Sequence, residues 1–503
     1  MGRLRTYEFP VRMDAGLLLG LSGVRLAAIG VCGVVFVVAM TVQSPQALGV
    51  AAVAITLLLL ATFVRVGGRP AIEWVPVWVS FGWSAATRND EFYASPDLSV
   101  PLPEGTLDLP GELFGLELHE FTPTATTTAT SATTANATPA GYGVVRDTFR
   151  RRLVAVCEVS GDDFLFLDPD DEQARVSAWG ATLDHLAQSL PELRRLQVVH
   201  AVGPVSTAGL HRDHGEHGGR GTAETAASYR EVLARSGAAA QEHRTLIAIG
   251  LDVAAARRAI RSAGGGLAGG GTVLMDRAAT VEETLRAAGL EVHGWLPART
   301  IGGLLRVGFD PAARLALDEH TDDVNAGGGV DPVAAGPYAL VEQWSALRHD
   351  SGWSTTCQVI RPPARPVTGD FLQHLLIGVP VERRMSLLYV PTSMQVAERR
   401  AQTQQVSADA EQAVRLRWGF ATSARHRRHH GDAAQREAEL VEGRAVYRVV
   451  WVLTIVAPDP AALEVAYSQV ESAARRCGVE LRRLAGTQRQ AAGFTLPLCR
   501  GVR

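Results

Sequence analysis

Two long apolar runs near the N-terminus dominate the pattern of hydrophobic and polar positions along this chain. The runs Leu26–Val42 and Ala47–Val64 contain no charged residue, and only the four residues 43–46 separate them. A helix of 17 or 18 residues just crosses the hydrocarbon core of a bilayer, since each residue adds about 1.5 Å. A four-residue linker that contains Pro45 reverses the chain. The pattern therefore predicts a transmembrane hairpin, with the rest of the chain on the same side as the N-terminus.

Arginines flank both runs and predict the orientation of this hairpin. Four stand before the first run and three after the second, whereas the linker has none. The positive-inside bias places both flanks in the cytoplasm, which predicts a two-span protein of the cell membrane with cytoplasmic termini. Arg25, Arg65 and Arg69 would then lie at the cytoplasmic interface. A signal peptide is an alternative for the first run, although no small-residue cleavage site follows it. A hairpin buried in a soluble core is disfavoured because both runs are apolar all round.

An aromatic segment follows the second run. Trp74, Trp78 and Trp83 lie within ten residues of one another. Tryptophan is favoured at membrane–water interfaces, where its ring lies among the headgroups and its N–H stays hydrated. The spacing predicts an interfacial segment that completes the first region of the chain, residues 1–89. The alternative is that this segment forms the first core strand or helix of the body that follows.

Strands and helices alternate along residues 143–330, which predicts a first α+β domain. The predicted strands are Arg152–Val159, Leu193–Val202 and Thr245–Val253, and the predicted helices are Asp170–Leu190, Ala223–Ala234 and Val281–Ala288. The last of these helices follows a glycine-rich tract, Gly264–Gly271, which is interpreted as a flexible loop. Residues 90–142 are interpreted as a linker, because Thr122–Ala140 lacks charge and large apolar side chains and is expected to be disordered.

Residues 331–503 predict a second α+β domain that carries a helical arm. Its predicted strands are Met385–Val390, Val446–Ala457 and Val479–Leu484, and Pro460–Cys477 is a predicted helix. Two polar helices, Ser393–Trp418 and Ala433–Gly443, form the predicted arm over residues 393–443. A helix with so few apolar anchors usually meets a partner or packs loosely. The predicted fold class is thus a two-helix transmembrane hairpin followed by a cytoplasmic α+β body with a helical-hairpin arm.

The composition excludes two kinds of chemistry. All 49 basic residues are arginine, and the chain contains no lysine. A P-loop requires its lysine, and Schiff-base catalysis requires one as well, so both are excluded. After residue 89 the chain has 42 arginines against 49 acidic residues, which argues against general affinity for nucleic acid. The five cysteines are far apart and form no C-x-x-C motif, as in proteins that keep free thiols in a reducing compartment.

Three clusters of histidine, arginine or glycine are candidate sites. The spacing of His211, His214 and His217 suits a solvated loop better than a metal site. The glycine tract lacks the strand that precedes a phosphate-binding fingerprint. A basic turn in the arm could contact phosphate, membrane or an acidic partner, or could be a solvated turn that Asp432 and Glu437 balance. The possible interaction residues of this turn are Arg425, Arg427, Arg428 and His429. Paired carboxylates look like turn residues, and no catalytic triad or dyad stands out.

Several short segments together resemble one family over nearly the whole length of the chain. They are Arg5-Thr6-Tyr7-Glu8-Phe9-Pro10, Leu18-Leu19-Gly20-Leu21-Ser22-Gly23-Val24-Arg25-Leu26, Gly68-Arg69-Pro70-Ala71-Ile72-Glu73-Trp74, Val176-Ser177-Ala178-Trp179-Gly180, Ala263-Gly264-Gly265-Gly266, Gly294-Trp295-Leu296 and Leu481-Arg482-Arg483-Leu484. The chain is similar to the actinobacterial membrane proteins called SCO-type conjugation-associated proteins. More distantly, its hairpin resembles PrgI-like subunits, and its body resembles the non-catalytic N-terminal domain of a VirB-type conjugation ATPase. The closing segment 486–497 looks like the lead into that ATPase's motor domain.

This resemblance implies a non-enzymatic scaffold of a type IV secretion-like conjugation machine. Its partners would be a separate VirB-type ATPase, other membrane subunits of the machine, the lipid bilayer and further copies of the chain. The resemblance transfers no catalytic, cofactor-binding or metal-binding residue. A type VII secretion membrane subunit and a membrane-anchored enzyme are the alternatives. Direct DNA handling rests only on the basic turn of the arm and would be strongly salt-dependent.

Overall fold

The chain forms two compact units in a computed structural model. The structure describes residues 23–42, 44–67, 69–94, 105–122, 141–161, 167–205, 241–314, 316–317, 329–392 and 444–501, together with the isolated positions 7, 9, 224–225, 227–228, 231, 396 and 399. The sheet unit combines Met1–Glu8, Asn89–Pro391 and Tyr447–Arg503. The helical unit combines Phe9–Arg88 and Thr392–Val446. Most of the predicted disordered insertion (Thr122–Ala140), of the predicted helix at 223–234 and of the predicted arm (393–443) lies outside the described residues.

Three helices make up the described part of the helical unit. They are α1 (Gly23–Val42), α2 (Pro45–Phe63) and α3 (Val75–Ala86), and a short hairpin of β1 (Arg65–Val66) and β2 (Arg69–Pro70) lies between α2 and α3. Pro45 stands at the first position of α2, where its missing N–H costs no helical hydrogen bond. Helices α1 and α2 pack together. Buried small side chains such as Ala28, Cys32 and Ala51 allow this close approach.

The prediction of a transmembrane hairpin is wrong. Within the described residues, neither α1, α2 nor any other helix combines the length and the apolar character that a membrane crossing demands. The predicted fold class, the two-span localisation and the description of the chain as a transmembrane protein are corrected accordingly. The charge-free runs of 17 and 18 residues lie at the lower end of the range that spans the ~30 Å hydrocarbon core, so run length and lack of charge alone do not establish a membrane span.

The sheet unit contains a mixed-length sheet of 13 strands, β3 to β15, in which every described pairing is antiparallel. The strands are β3 (Glu91–Tyr93), β4 (Leu116–Phe121), β5 (Tyr142–Asp147), β6 (Arg152–Gly161), β7 (Leu193–Pro204), β8 (Gln241–Asp252), β9 (Leu290–Trp295), β10 (Ala339–Glu342), β11 (Leu347–His349), β12 (Gly352–Arg361), β13 (Arg383–Thr392), β14 (Val446–Ala457) and β15 (Glu480–Arg483). The helices are α4 (Pro169–Ser189), α5 (Arg257–Ser262), α6 (Gly266–Ala287), α7 (Ala298–Phe309), α8 (Gln373–Leu376), α9 (Pro460–Arg476) and α10 (Gln488–Ala492).

The strand order of this sheet repeats itself in reverse. It runs β3-β10-β11-β12-β14-β13-β7-β8-β6-β5-β4, with β15 paired to β12 and β9 paired to β6. Strands β4 to β9 and strands β10 to β15 therefore occupy equivalent positions in two halves. In both halves the sixth strand follows a long helix and a glycine turn, and the sequences around that turn are alike: Arg286-Ala287-Ala288-Gly289-Leu290-Glu291-Val292 and Arg475-Arg476-Cys477-Gly478-Val479-Glu480-Leu481.

The two halves meet where β7 pairs with β13. The pairing runs from Leu196↔Tyr389 to Val202↔Arg383 and is centred on Val199↔Ser386. Because β7 and β13 are equivalent strands, their antiparallel pairing relates the halves by an approximate two-fold axis through this central pair. The predicted domains 143–330 and 331–503 thus supply most of the two halves of one continuous sheet, whereas β4 lies in the predicted linker 90–142.

Alternate residues of each strand pack against different layers, as the two-residue period of a strand requires. On one face Cys157, Ile249 and Leu453 join cores formed with helices α4, α5, α6, α8 and α9. On the opposite face, Val154 and Val452 join cores that include α7 and the C-terminal segment, residues 486–501. The C-terminal segment therefore lies against the sheet on the side away from the long helices.

The strand predicted at Val446–Ala457 is confirmed with those bounds. The strands predicted at Arg152–Val159, Leu193–Val202 and Met385–Val390 lie within β6, β7 and β13, and those predicted at Thr245–Val253 and Val479–Leu484 overlap β8 and β15 but extend one residue beyond one end of β8 and each end of β15. The helix predicted at Pro460–Cys477 is α9, where the Asp459 carboxylate accepts a hydrogen bond from the Ala462 N–H at 2.8 Å and caps the first turn. The interpretation of Gly264–Gly271 as a flexible loop is wrong for most of its length, because α6 begins at Gly266.

The glycines of this tract have two structural roles. Gly264, Gly265 and Gly266 have φ values of 95°, 73° and 63°, so they form the turn from α5 into α6 in the left-handed region that glycine favours. Gly269 is buried in α6, and a Cβ atom there would lie 2.7 Å from the Ile260 carbonyl oxygen and 2.9 Å from that of Ala263. The absence of a side chain lets α6 pack closely on α5.

We expect Gly269→Ala to lower the free energy of unfolding by about 1–3 kcal/mol, because the added methyl group meets backbone atoms that cannot move independently. Gly180→Ala is the matched control, since Gly180 is an exposed position of α4 where a Cβ atom would meet nothing within 4 Å. It should raise the free energy of unfolding by about 0.5–1 kcal/mol. Urea denaturation of both variants checks this, and stabilisation by both would contradict the packing described.

Candidate protein-interaction surface

The helical unit exposes a large set of apolar side chains on α1 and α2. The buried residues of these helices are mostly small, so their large side chains point outward. The exposed large side chains are Ile29, Val31, Val34, Phe36, Val37, Val38, Met40 and Val42 on α1, and Leu48, Val50, Val53, Leu57, Leu59, Leu60 and Phe63 on α2. Apolar surface of this extent marks a site that another molecule covers.

Helix α3 adds aromatic side chains to this surface. Trp78 is 52% exposed and Trp83 is 73% exposed, and Val79 on the same helix is 65% exposed. Trp74, just before α3, is instead buried, and its ring lies against Gly67 at 3.4 Å from the position of a Cβ atom there. We call the outward-facing side chains of α1, α2 and α3 the apolar surface.

The apolar surface is also uncharged. Helices α2 and α3 contain no charged residue, and Arg25 is the single charged residue of α1. A surface without charge gives up little hydration free energy when it is covered, and its burial is favourable at about 25 cal/mol per Å². The surface therefore suits an apolar partner rather than nucleic acid or a charged peptide.

The structure separates the residues that the sequence predicted for a membrane interface. Arg25 lies in the first turn of α1, and Arg65 and Arg69 lie in β1 and β2. Trp74 is buried, while Trp78 and Trp83 face outward from α3. With no membrane-crossing helix in the described part of the chain, Trp78 and Trp83 are now placed on the apolar surface. The basic turn at Arg425, Arg427, Arg428 and His429 lies outside the described residues, as do His211, His214 and His217.

The thiols of the sheet unit are poorly suited to nucleophilic chemistry. Cys157, Cys357 and Cys499 are completely buried, and burial is the main cause that raises the pKa of each thiol to about 12. The thiolate is the nucleophilic form, so these groups stay protonated and inert near neutral pH. Among the described residues, no group of three or more histidine, cysteine or acidic side chains is placed to hold a metal ion.

Two buried arginines tie loops to the sheet through backbone carbonyl groups. The Arg383 guanidinium donates to the carbonyl oxygens of Val379 and Val381 at 2.6 Å, and also to those of Leu375 and Leu376. Arg384 donates to the Gly308 carbonyl at 2.7 Å. Burial lowers the pKa of both arginines to about 10. Sequence reasoning missed this role, and the adjacent arginines at the start of a strand were its available signal.

A buried histidine near Arg384 makes the stability of the sheet unit sensitive to acid. His349 on β11 is 3% exposed, and neither ring nitrogen has a hydrogen-bond partner among the described residues. Burial, followed by the charge of Arg384, lowers the pKa of His349 to about 4. The unfolded chain takes up this proton below about pH 6.5, whereas the folded chain does so only near pH 4. The contribution to stability is therefore lost as the pH falls through this window.

We expect His349→Leu to reduce the slope of unfolding free energy against pH between pH 6.5 and 4. The reduction should be up to about 1.4 kcal/mol per pH unit, the effect of one proton. His200, whose pKa is also lowered to about 4, chiefly by burial, keeps part of the slope in the variant. Urea denaturation across this pH range measures the effect. His374→Leu, at an exposed position of α8, is the control, and equal slopes in both variants would contradict the assignment.

No protein-family model matches the chain, and no curated protein matches it either. The comparisons with known proteins therefore do not support the prediction of a secretion-system or conjugation component. The family resemblance remains a prediction from the sequence. The apolar surface is the most extensive candidate site in the described part of the chain.

Proposed function

We propose that this protein is a non-enzymatic docking scaffold that binds another protein through the apolar surface. The exposure of large aliphatic and aromatic side chains over three consecutive helices is the observation that supports this most strongly. The sheet unit would serve as a rigid platform from which further contacts are made, because its two halves share one sheet.

The size of the apolar surface is the first step in this argument. Soluble monomers seldom expose contiguous apolar patches larger than a few hundred Å², and larger patches mark interaction sites. Aromatic side chains such as Trp78 and Trp83 dominate the energetics of interfaces because they bury much area at a low entropic cost. Their exposure on α3 makes them the proposed anchors of the interface.

The chemistry of the partner follows from the lack of charge. Because α2 and α3 carry no charged residue, a matching partner presents an apolar face, and an amphipathic helix or helix pair supplies one. The resemblance of the chain suggests which protein this is, namely a separate VirB-type ATPase. That identity agrees with the absence of lysine, since this chain has no P-loop of its own and a motor function must come from another chain.

The experiment is co-purification of the tagged full-length protein with the VirB-type ATPase of the same cell, followed by mass spectrometry. Wild type is expected to retain the ATPase. Val79→Asp places a carboxylate on the apolar surface at a side chain that is 65% exposed, so the fold keeps its core. Desolvation of that charge and loss of apolar burial should reduce recovery at least about tenfold.

Val465→Asp is the matched control, because Val465 is 59% exposed on α9 in the sheet unit. It should leave recovery unchanged. Failure of wild type to retain an ATPase, or equal recovery with Val79→Asp, would overturn the proposal. Specific recovery of type VII secretion subunits instead would contradict the named partner and assign the scaffold to that machine.

A further inference from the structure

The repeated topology places two rows of side chains at equivalent points of the sheet, on the face that carries the C-terminal segment. The acidic row contains Glu242 on β8, its pairing partner Gly203 on β7, and Glu382 just before β13. The Val456 N–H donates to the Glu382 carbonyl at 3.0 Å, which fixes how β14 runs beside β13. The approximate two-fold axis relates each position of this row to an equivalent position in the other half, and these equivalent positions form the second row.

That second row, the arginine row, contains Arg448 on β14, Val390 on β13, Arg195 on β7 and the neighbouring Arg152 on β6. Tyr389 of β13 and Leu196 of β7 form the end pair of the β7–β13 register. Val390 and Arg195 are the next residues beyond this pair on their strands. Arg448 occupies the position equivalent to Glu242, and Arg195 the position equivalent to Glu382. The two halves thus carry opposite charge at the same structural position.

The acidic row is completed from within the chain. The Arg314 guanidinium lies 3.6 Å from a Glu242 carboxylate oxygen and 3.7 Å from one of Glu382. It rests directly on Gly203, since a Cβ atom at that glycine would lie 2.6 Å from Arg314 Nη2. One half of the sheet therefore shows that a group of opposite charge occupies this position.

Within the described ranges, the arginine row receives only a backbone carbonyl group. The Cys499 carbonyl oxygen accepts a hydrogen bond from Arg195 Nη1 at 3.0 Å and another from Arg152 Nη1 at 3.3 Å. Arg152 is 8% exposed, and its buried Nε has no hydrogen-bond partner in the part of the chain that the structure describes. Among the described residues the Asp147 carboxylate lies nearby, but it is paired with Arg500 at 2.8 Å.

The positive charge of the arginine row is not compensated by the groups that contact it. Two guanidinium groups that share one carbonyl oxygen repel each other, and a neutral dipole does not cancel their charge. Burial, and next the charge of Arg152, lower the pKa of Arg195 to about 10, with Arg448 contributing in the same direction. Arg448 itself is exposed and makes no hydrogen bond or ion pair with any described residue. An anion at this position would relieve the repulsion and pair with Arg448.

We propose that the arginine row is an oxyanion-binding site that takes a phosphate group, either free or carried by a nucleotide. A phosphate has enough oxygen atoms and charge to accept hydrogen bonds from several guanidinium groups at once, whereas one arginine already satisfies a carboxylate. Arg448 provides the exposed contact, and Arg195 and Arg152 provide the charge beneath it. This inference does not depend on the proposed docking function.

Isothermal titration calorimetry on the full-length protein tests the site, with inorganic phosphate as the probe and chloride balancing the ionic strength. Wild type should bind phosphate. Arg448→Gln should raise the dissociation constant about tenfold through loss of one charge-assisted contact. Arg361→Gln is the control, because Arg361 is an exposed arginine of β12 that pairs with Glu480 at 3.0 Å, away from the row. It should bind phosphate as wild type does.

Titration with ATP distinguishes the two sources of phosphate. Tighter binding than inorganic phosphate, with the same loss in Arg448→Gln, identifies a nucleotide-phosphate site, and binding no tighter identifies a site for free phosphate. Arg195→Met should abolish phosphate binding. If this substitution of a partly buried arginine prevents folding, the Arg448→Gln variant alone tests whether the arginine row binds phosphate. Absence of phosphate binding by wild type, or an equal dissociation constant in Arg448→Gln, would overturn the proposal.

Discussion

The antiparallel pairing of β7 with β13 is the constraint on which the rest of the sheet unit depends. It joins two equivalent sets of strands into one sheet and places Val199 and Ser386 at the centre. Gln197 reinforces this junction, because its Nε2 donates to the Ser386 hydroxyl at 2.8 Å and to the carbonyl groups of Phe494 and Leu496. Its Oε1 accepts from the Cys499 N–H at 2.6 Å. A single buried amide thus links both halves to the C-terminal segment.

The same junction explains why charged groups lie inside this sheet unit. The segments after α7 and α10 are equivalent in the two halves. The first places Arg314 at the acidic row, and the second places the Cys499 carbonyl group at the arginine row. Buried charges are tolerated where they are paired or hydrogen-bonded. Arg383 and Arg500 meet that condition within the chain, through carbonyl groups and Asp147 respectively. In the arginine row two guanidinium groups share the single Cys499 carbonyl oxygen, and for that reason it is the place where an external anion is inferred.

Local patterns predicted several of the long elements, although the ten-residue strand β12 and the 12-residue helix α7 were not predicted. The β-branched run Val446–Ala457 and the capped helix after Asp459 carry strong local signals, and both are observed. The short strands β10 and β11 have three or four residues and no such signal, so they were missed. The glycines at positions 269–271 led to a wrong prediction, because tertiary packing on α5 overrides their poor helix propensity.

Apolar composition was the source of the largest error and of the candidate site alike. It indicates a surface that avoids water, but it does not distinguish lipid from protein as the cover, and run length was too near the limit to decide. The arginine row was beyond the reach of sequence patterns for another reason. Arg152, Arg195 and Arg448 are brought together only by strand order, which no local spacing reveals.

Hydrogen–deuterium exchange of the full-length protein tests the central claim that the two halves form one cooperative sheet joined at β7 and β13. The account predicts that slowly exchanging amides of β6 and β8 and those of β12 and β14 open with the same free energy, equal to that of global unfolding. Peptides from one half that exchange at a clearly lower free energy, while the other half stays protected, would show two independent domains and contradict the account.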